Sequence, residues 1–118
     1  MSDETKTPMS EDQVDAMLLA LLLGHSPSVT VDAPVFLDLL KHSLSLNTME
    51  KKRVIDATPI LSQFQFDELT KVFTEERVKF RDLAGQHPDD IKKLVAKQQT
   101  EWVQLGDIYV IENEKKAA

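Results

Sequence analysis

Two stretches of this chain carry apolar seams that match each other in reverse order, and that match restricts the fold more than any other feature of the sequence. Phe66, Leu69, Phe73, Phe80 and Leu83 make the first seam, interrupted only at Glu76. Ile91, Leu94, Trp102 and Leu105 make the second, interrupted at Gln98. Recurrence at three, four and seven residues puts apolar side chains on one face of a helix. A tight connection from Gly85 to His87 folds the pair into an antiparallel hairpin, with Leu83 opposite Ile91, Phe80 opposite Leu94 and Leu69 opposite Leu105. Trp102 then lies opposite Phe73 as a core residue, and the two interruptions coincide. A carboxylate in an apolar seam is costly unless hydrogen-bonded, and an amide offers two N–H groups. Glu76 and Gln98 are therefore expected to form a structural polar pair that sets the register. Asp67 with Lys71, Glu75 with Lys79 and Asp89 with Lys93 stand four apart, acid first, the order that supports a helix.

Start and stop signals divide the rest of the chain into short helices. Ser10 with Gln13 is a capping box, acidic residues follow it, and Gly24 ends a first helix over 11–23. Asp32 caps a second helix with Pro34 in its first turn, running to about Leu46. Asn47 with Glu50 opens a third over 48–57, closed by Thr58-Pro59. Ser62 with Gln65 starts the longest helix, which ends at Gly85, and Pro88 opens a fifth that is expected to stop before Gly106. Residues 107–112 are rich in β-formers and read as a strand, with Val29 to Val31 as its partner within the chain. The expected fold is all-α, a five-helix bundle built on the antiparallel hairpin, with a short two-stranded β-ribbon between 29–31 and 108–111. An extended tail packed on the helices, or a strand paired with a second molecule, is an equal alternative. Residues 1–9 are expected to be a disordered acidic arm, 10–112 one helical domain, and 113–118 a disordered tail.

Charge and composition narrow the function. Residues 1–15 hold five acids against Lys6 and so account for −4 of the formal charge of −6, while 16–106 carry only −1. A net acidic chain is the opposite of what neutralising nucleic-acid phosphates requires. The clusters Lys51-Lys52-Arg53 and Lys92-Lys93 with Lys97 have acidic neighbours and read as solvated helix faces. The absence of cysteine excludes disulfides and thiolate chemistry. The three glycines stand at helix ends rather than in a phosphate loop, and no nucleotide or other cofactor is indicated. His25, His42 and His87 lack the spacing of a metal site, and His25-Ser26 lacks an orienting acid, so neither a metal nor an enzymatic activity is expected. The apolar run from Ala16 to Leu23 follows acidic residues where a signal peptide would be basic, and it is too short to span a bilayer. A cytoplasmic protein without a membrane segment is the expectation.

The first helix is over-apolar. Val14, Met17, Leu18, Leu21 and Leu22 form one stripe, sufficient to dock it on the domain. Ala16, Leu19, Ala20 and Leu23 lie on roughly the opposite side and are the candidate partner-binding residues, either covered within the monomer or by a second chain. Tyr109, set apart from Ile108 and Val110 on the expected strand, is added to this group, facing either a partner or the helices. The function read from these features is protein–protein interaction, as a small regulatory or adaptor subunit or a homodimer acting through a helix face. The alternative is a nucleic-acid-binding regulator of winged-helix type.

Overall fold

In the computed structural model, which describes residues 9–117, the chain forms five α-helices and one 3-10 turn. They are α1 (Glu11–Leu22), α2 (Ala33–Lys41), α3 (Thr48–Ala57), the turn Thr58–Ile60, α4 (Gln63–Gln86) and α5 (Pro88–Ala117). The expected acidic arm at residues 1–9 lies outside the described residues except for Met9, which packs against the core. The molecule measures 48 × 40 × 19 Å. Its thin dimension is about two helix diameters of 10 Å, so the helices lie in two layers.

The capping signals place the helix starts. Ser10, Asn47 and Ser62 each accept from the backbone N–H three residues on, while Gln13, Glu50 and Gln65 bond back to the cap backbone. Asp32 accepts from the Val35 N–H at the start of α2. The hairpin joint is a single residue, His87, whose N–H donates to the Leu83 carbonyl at 2.7 Å while its own carbonyl accepts from Ile91.

α5 is the spine. It packs against α1, α3 and α4, and α2 bridges α1 and α4. Phe36 of α2 meets Phe66 of α4 edge-on at 5.1 Å and Phe73 at 6.0 Å. Val14, Leu18 and Leu22 of α1 close the core with Leu40, Ile55, Trp102 and Leu105.

Three expectations are corrected. First, α5 does not stop before Gly106 but runs 30 residues, so there is no strand at 107–112 and no β-ribbon with 29–31 among the described residues. Gly106 serves a different purpose: a Cβ there would lie 2.5 Å from Val14 Cγ2, so it permits the close crossing of α1 and α5. The β-formers beyond it stay helical because Tyr109 packs on α3, a tertiary contact that outweighs propensity. Second, the tail expected to be disordered from 113 continues α5 to Ala117. Third, α2 ends at Lys41 rather than near Leu46. Continuing it would require the Ser45 N–H to bond the Lys41 carbonyl, and both groups are engaged elsewhere. The carbonyl accepts from Lys51 Nζ at 2.9 Å, and the Ser45 N–H donates to Glu76 at 3.2 Å.

The two helical glycines at 85 and 106 provide a paired test. Nothing lies within 4 Å of a Cβ at Gly85. Gly85→Ala is expected to raise stability by about 0.5–1 kcal/mol through helix propensity. Gly106→Ala is expected to lower it by about 1–3 kcal/mol by forcing a methyl into Val14. Urea denaturation of the two variants checks both signs.

Candidate docking surface

α1 buries one stripe and leaves another. Val14 and Leu18 are fully enclosed and Leu22 nearly so, whereas Ala16 and Ala20 are exposed and Leu19 is half-buried. Ala16 and Leu19 face α2 across a shallow groove of about 400 Å³ that also includes Pro34, Leu37 and the Asp15 and Lys41 side chains. Leu23, at the C-cap, is 62% exposed and Leu21 40%. Of the residues expected to bind a partner, Leu23 is thus the large side chain that stands in solvent. Tyr109 is the opposite case. It is 6% exposed and its hydroxyl donates to Asp56 Oδ1 at 2.7 Å, so it faces the helices and not a partner. Burial, with Asp56 beside it, pushes its pKa well above the ordinary tyrosine range.

The most exposed apolar side chains lie outside the expected group: Ile60, at 84%, ends the 3-10 turn and Phe64, at 71%, is in the first turn of α4. The fold brings both to the end of the molecule where α1 finishes. The 3-10 turn packs against α1, and Gln63 clamps the loop after α1 by accepting from the Thr30 N–H at 2.7 Å and donating to its carbonyl at 2.9 Å. The two stretches that form this end carry no formal charge, although Asp67 and Glu68 follow Phe64 by one turn and Asp67 accepts from Gln63 Nε2 at 3.0 Å. Residues 16–31 and 57–66 contain no Asp, Glu, Lys or Arg, while the chain as a whole is 29% charged. The signal for Phe64 was in the sequence: two residues before Phe66, it falls on the opposite side of α4 from the seam.

The polar seam residues part company. Glu76 and Gln98 line one cavity of about 220 Å³ floored by Phe73, Phe80, Ile91 and Val95, but they are not hydrogen-bonded to each other. Glu76 instead accepts from the Ser43 hydroxyl, the Leu44 N–H at 2.8 Å, the Ser45 N–H and the Ser45 hydroxyl at 2.6 Å. It organises the α2–α3 turn, and Gln98 Nε2 is left buried without a partner. A register device between the two is therefore replaced by a clamp from α4 to the turn. Nothing in the seam spacing pointed to three consecutive donors at 43–45.

Several titratable groups elsewhere are committed to local structure. His42 Nδ1 lies 2.9 Å from the Asp38 carbonyl oxygen, and His25 Nδ1 lies 2.9 Å from the Ser26 carbonyl oxygen, while the Ser26 hydroxyl pairs with Ser28. No group of three or more His, Asp or Glu among the described residues is placed to hold a metal ion. Of the basic cluster at 51–53, Arg53 is exposed as expected, but Lys51 and Lys52 are not on a solvated face. Lys52 pairs with Asp56 at 2.7 Å and Glu112 at 3.0 Å, and Lys51 is 2% exposed, its ammonium 5.9 Å from the Trp102 ring centre. Burial pulls the Lys51 pKa from 10.5 to about 8, with Glu101 and Glu76 acting against the shift. No helix among the described residues is long and apolar enough to cross a membrane. Compared with protein-family models, curated proteins and solved structures, the chain matches none of them.

Two measurements follow from these contacts. Glu76→Gln is expected to cost about 1.5–3 kcal/mol by weakening charge-assisted bonds to the turn, whereas Gln98→Leu, which removes an unpaired donor, is expected to be near neutral. Chemical denaturation of both variants tests the asymmetry. The second concerns pH. Because the folded Lys51 pKa is lowered, the unfolded chain binds more protons between about pH 8 and 10.5, and stability rises with pH there. A gain of about 1–2 kcal/mol from about pH 8 to pH 9.5 is expected, absent in Lys51→Met. Tyr109, Lys41 and Lys52, all raised, act in the opposite sense, but mainly above about pH 9.5 as the unfolded chain begins to lose those protons.

Proposed function

We propose that this protein is an interaction module, a regulatory or adaptor subunit that docks through the apolar end formed by the close of α1, the 3-10 turn and the start of α4. The observation that carries this reading is the exposure of Leu23, Ile60 and Phe64 on two neighbouring stretches that hold no charged residue of their own, with Asp67 and Glu68 at their edge. Full burial of such side chains is worth about 1.5–3 kcal/mol each, so leaving three of them in water gives a strong incentive for association. The rest of the chain supports this end rather than offering a rival chemistry. Glu76, Lys51, Lys52 and Tyr109 spend their polar groups on turns and helix contacts. In this reading the chain acts in the cytoplasm.

The contributions of the expected residues change accordingly. Leu23 stays at the centre of the surface, Ala16, Leu19 and Ala20 border it on α1, and Tyr109 leaves it. Site-specific photo-cross-linking of the full chain in its own cells tests the reading. With p-benzoylphenylalanine in place of Phe64, a discrete adduct is expected. With it in place of the exposed Lys79 on α4, none is expected. No adduct from position 64, or equal yield from both, overturns the reading.

A further inference from the structure

We propose that the cavity between α4, α5 and the end of α2 is a binding site for a small neutral aromatic molecule with an oxygen acceptor, an aryl ketone or aryl alcohol, anchored on the side-chain amide of Gln98. The unmet donor is the first argument. Gln98 is 4% exposed, it lines this cavity, and its Nε2 has no hydrogen-bond partner among the described residues. A buried donor left unmet is a standing cost that an acceptor oxygen removes. Glu76 shares the lining but gives no relief, because its oxygens accept from Ser43, Leu44 and Ser45. A buried water is held by about two to four polar partners, and the floor of this cavity is hydrocarbon.

Size and charge define the guest. The cavity holds about 220 Å³. An apolar cavity of about 150 Å³ takes benzene, so this one has room for a single ring and a short substituent. Phe73 and Phe80 of α4 and Ile91 and Val95 of α5 make its floor, and an aromatic guest packs well on the two phenylalanines. The Glu76 carboxylate in the lining repels an anion. Arg77 is already paired with Asp38 at 3.0 Å and Arg81 is exposed, so neither is a buried cation that would offset that repulsion. A cationic guest would meet the same two arginines and find the Glu76 oxygens taken. The site binds rather than reacts, since the Ser43 hydroxyl is held by Glu76 and His42 Nδ1 lies 2.9 Å from the Asp38 carbonyl oxygen. Leu23, Ile60 and Phe64 take no part in its lining, so this inference goes beyond the docking function.

Amide NMR titration of the full chain tests this, because the Gln98 side-chain NH2 gives its own signals. Acetophenone and benzyl alcohol are expected to shift those signals and the backbone amides of residues 91–98 saturably, with a Kd of about 1 mM or tighter. Toluene, the same ring without an acceptor, and benzoate, the same ring with a charge, are each expected to bind at least about fivefold more weakly. Gln98→Leu, near neutral for stability, is expected to bind acetophenone and toluene alike, read from the backbone amides of residues 91–97. The wild-type comparison of acetophenone with toluene reads the donor without any substitution and decides the matter if that variant does not fold. No saturable shift at Gln98 up to about 10 mM ligand overturns the proposal, as do shifts confined to Leu23 and Phe64. Toluene or benzoate binding as tightly as acetophenone, or a Gln98→Leu chain that keeps the preference for acetophenone, overturns it equally.

Discussion

The architecture turns on Trp102. Its indole is completely enclosed, and its N–H donates to Asp15 Oδ1 at 2.8 Å, joining the fifth helix to the first. Asp15 also holds Lys41 at 3.1 Å, which Glu11 approaches at 2.6 Å, so the end of α2 is tied to the same point. Against the burial that lowers it, these two carboxylates keep the Lys41 pKa above the ordinary lysine value. Lys51 completes the knot from α3, lying near the Trp102 ring and donating to the Lys41 carbonyl. Four helices thus converge on one indole, and a buried polar group without such partners would be costly in this setting.

Two features adapt the surrounding chain to that knot. Gly106 lets α1 approach α5 closely enough for Asp15 to reach Trp102 one turn away. Glu76 gathers the donors of Ser43 to Ser45 after α2 ends, freeing the Lys41 carbonyl for Lys51. Both are polar or steric accommodations at helix crossings. The apolar seams bring the helices together, and these accommodations decide where each helix ends and which faces meet.

Much of this was legible in the sequence because it is local. Capping boxes at Ser10, Asn47 and Ser62 place three helix starts, and the seams from Phe66 to Leu105 place the hairpin, since side-chain reach and helical period act over a few residues. What misled were residues whose role depends on a distant neighbour. Gly106 resembles a helix stop until Val14 is seen against it, and Ile108 to Ile111 resemble a strand until Tyr109 is seen on Asp56. Lys51 resembles a surface cation until α5 covers it. The candidate surface divides in the same way. The excess leucine of α1 pointed to Leu23, whereas Ile60 and Phe64 join it through a turn packed on α1 and a clamp between Thr30 and Gln63, contacts that span separations a periodicity does not encode.

The Asp15–Trp102 bond closes a separation of 87 residues. At a synthesis rate of about 5–20 residues per second, Asp15 is made roughly 4–17 s before the indole that it binds. During that interval Val14, Leu18 and Leu22 have no α5 to cover them. A chain that completes its core only when its last helix arrives leaves that apolar stripe uncovered in any product cut short before Trp102.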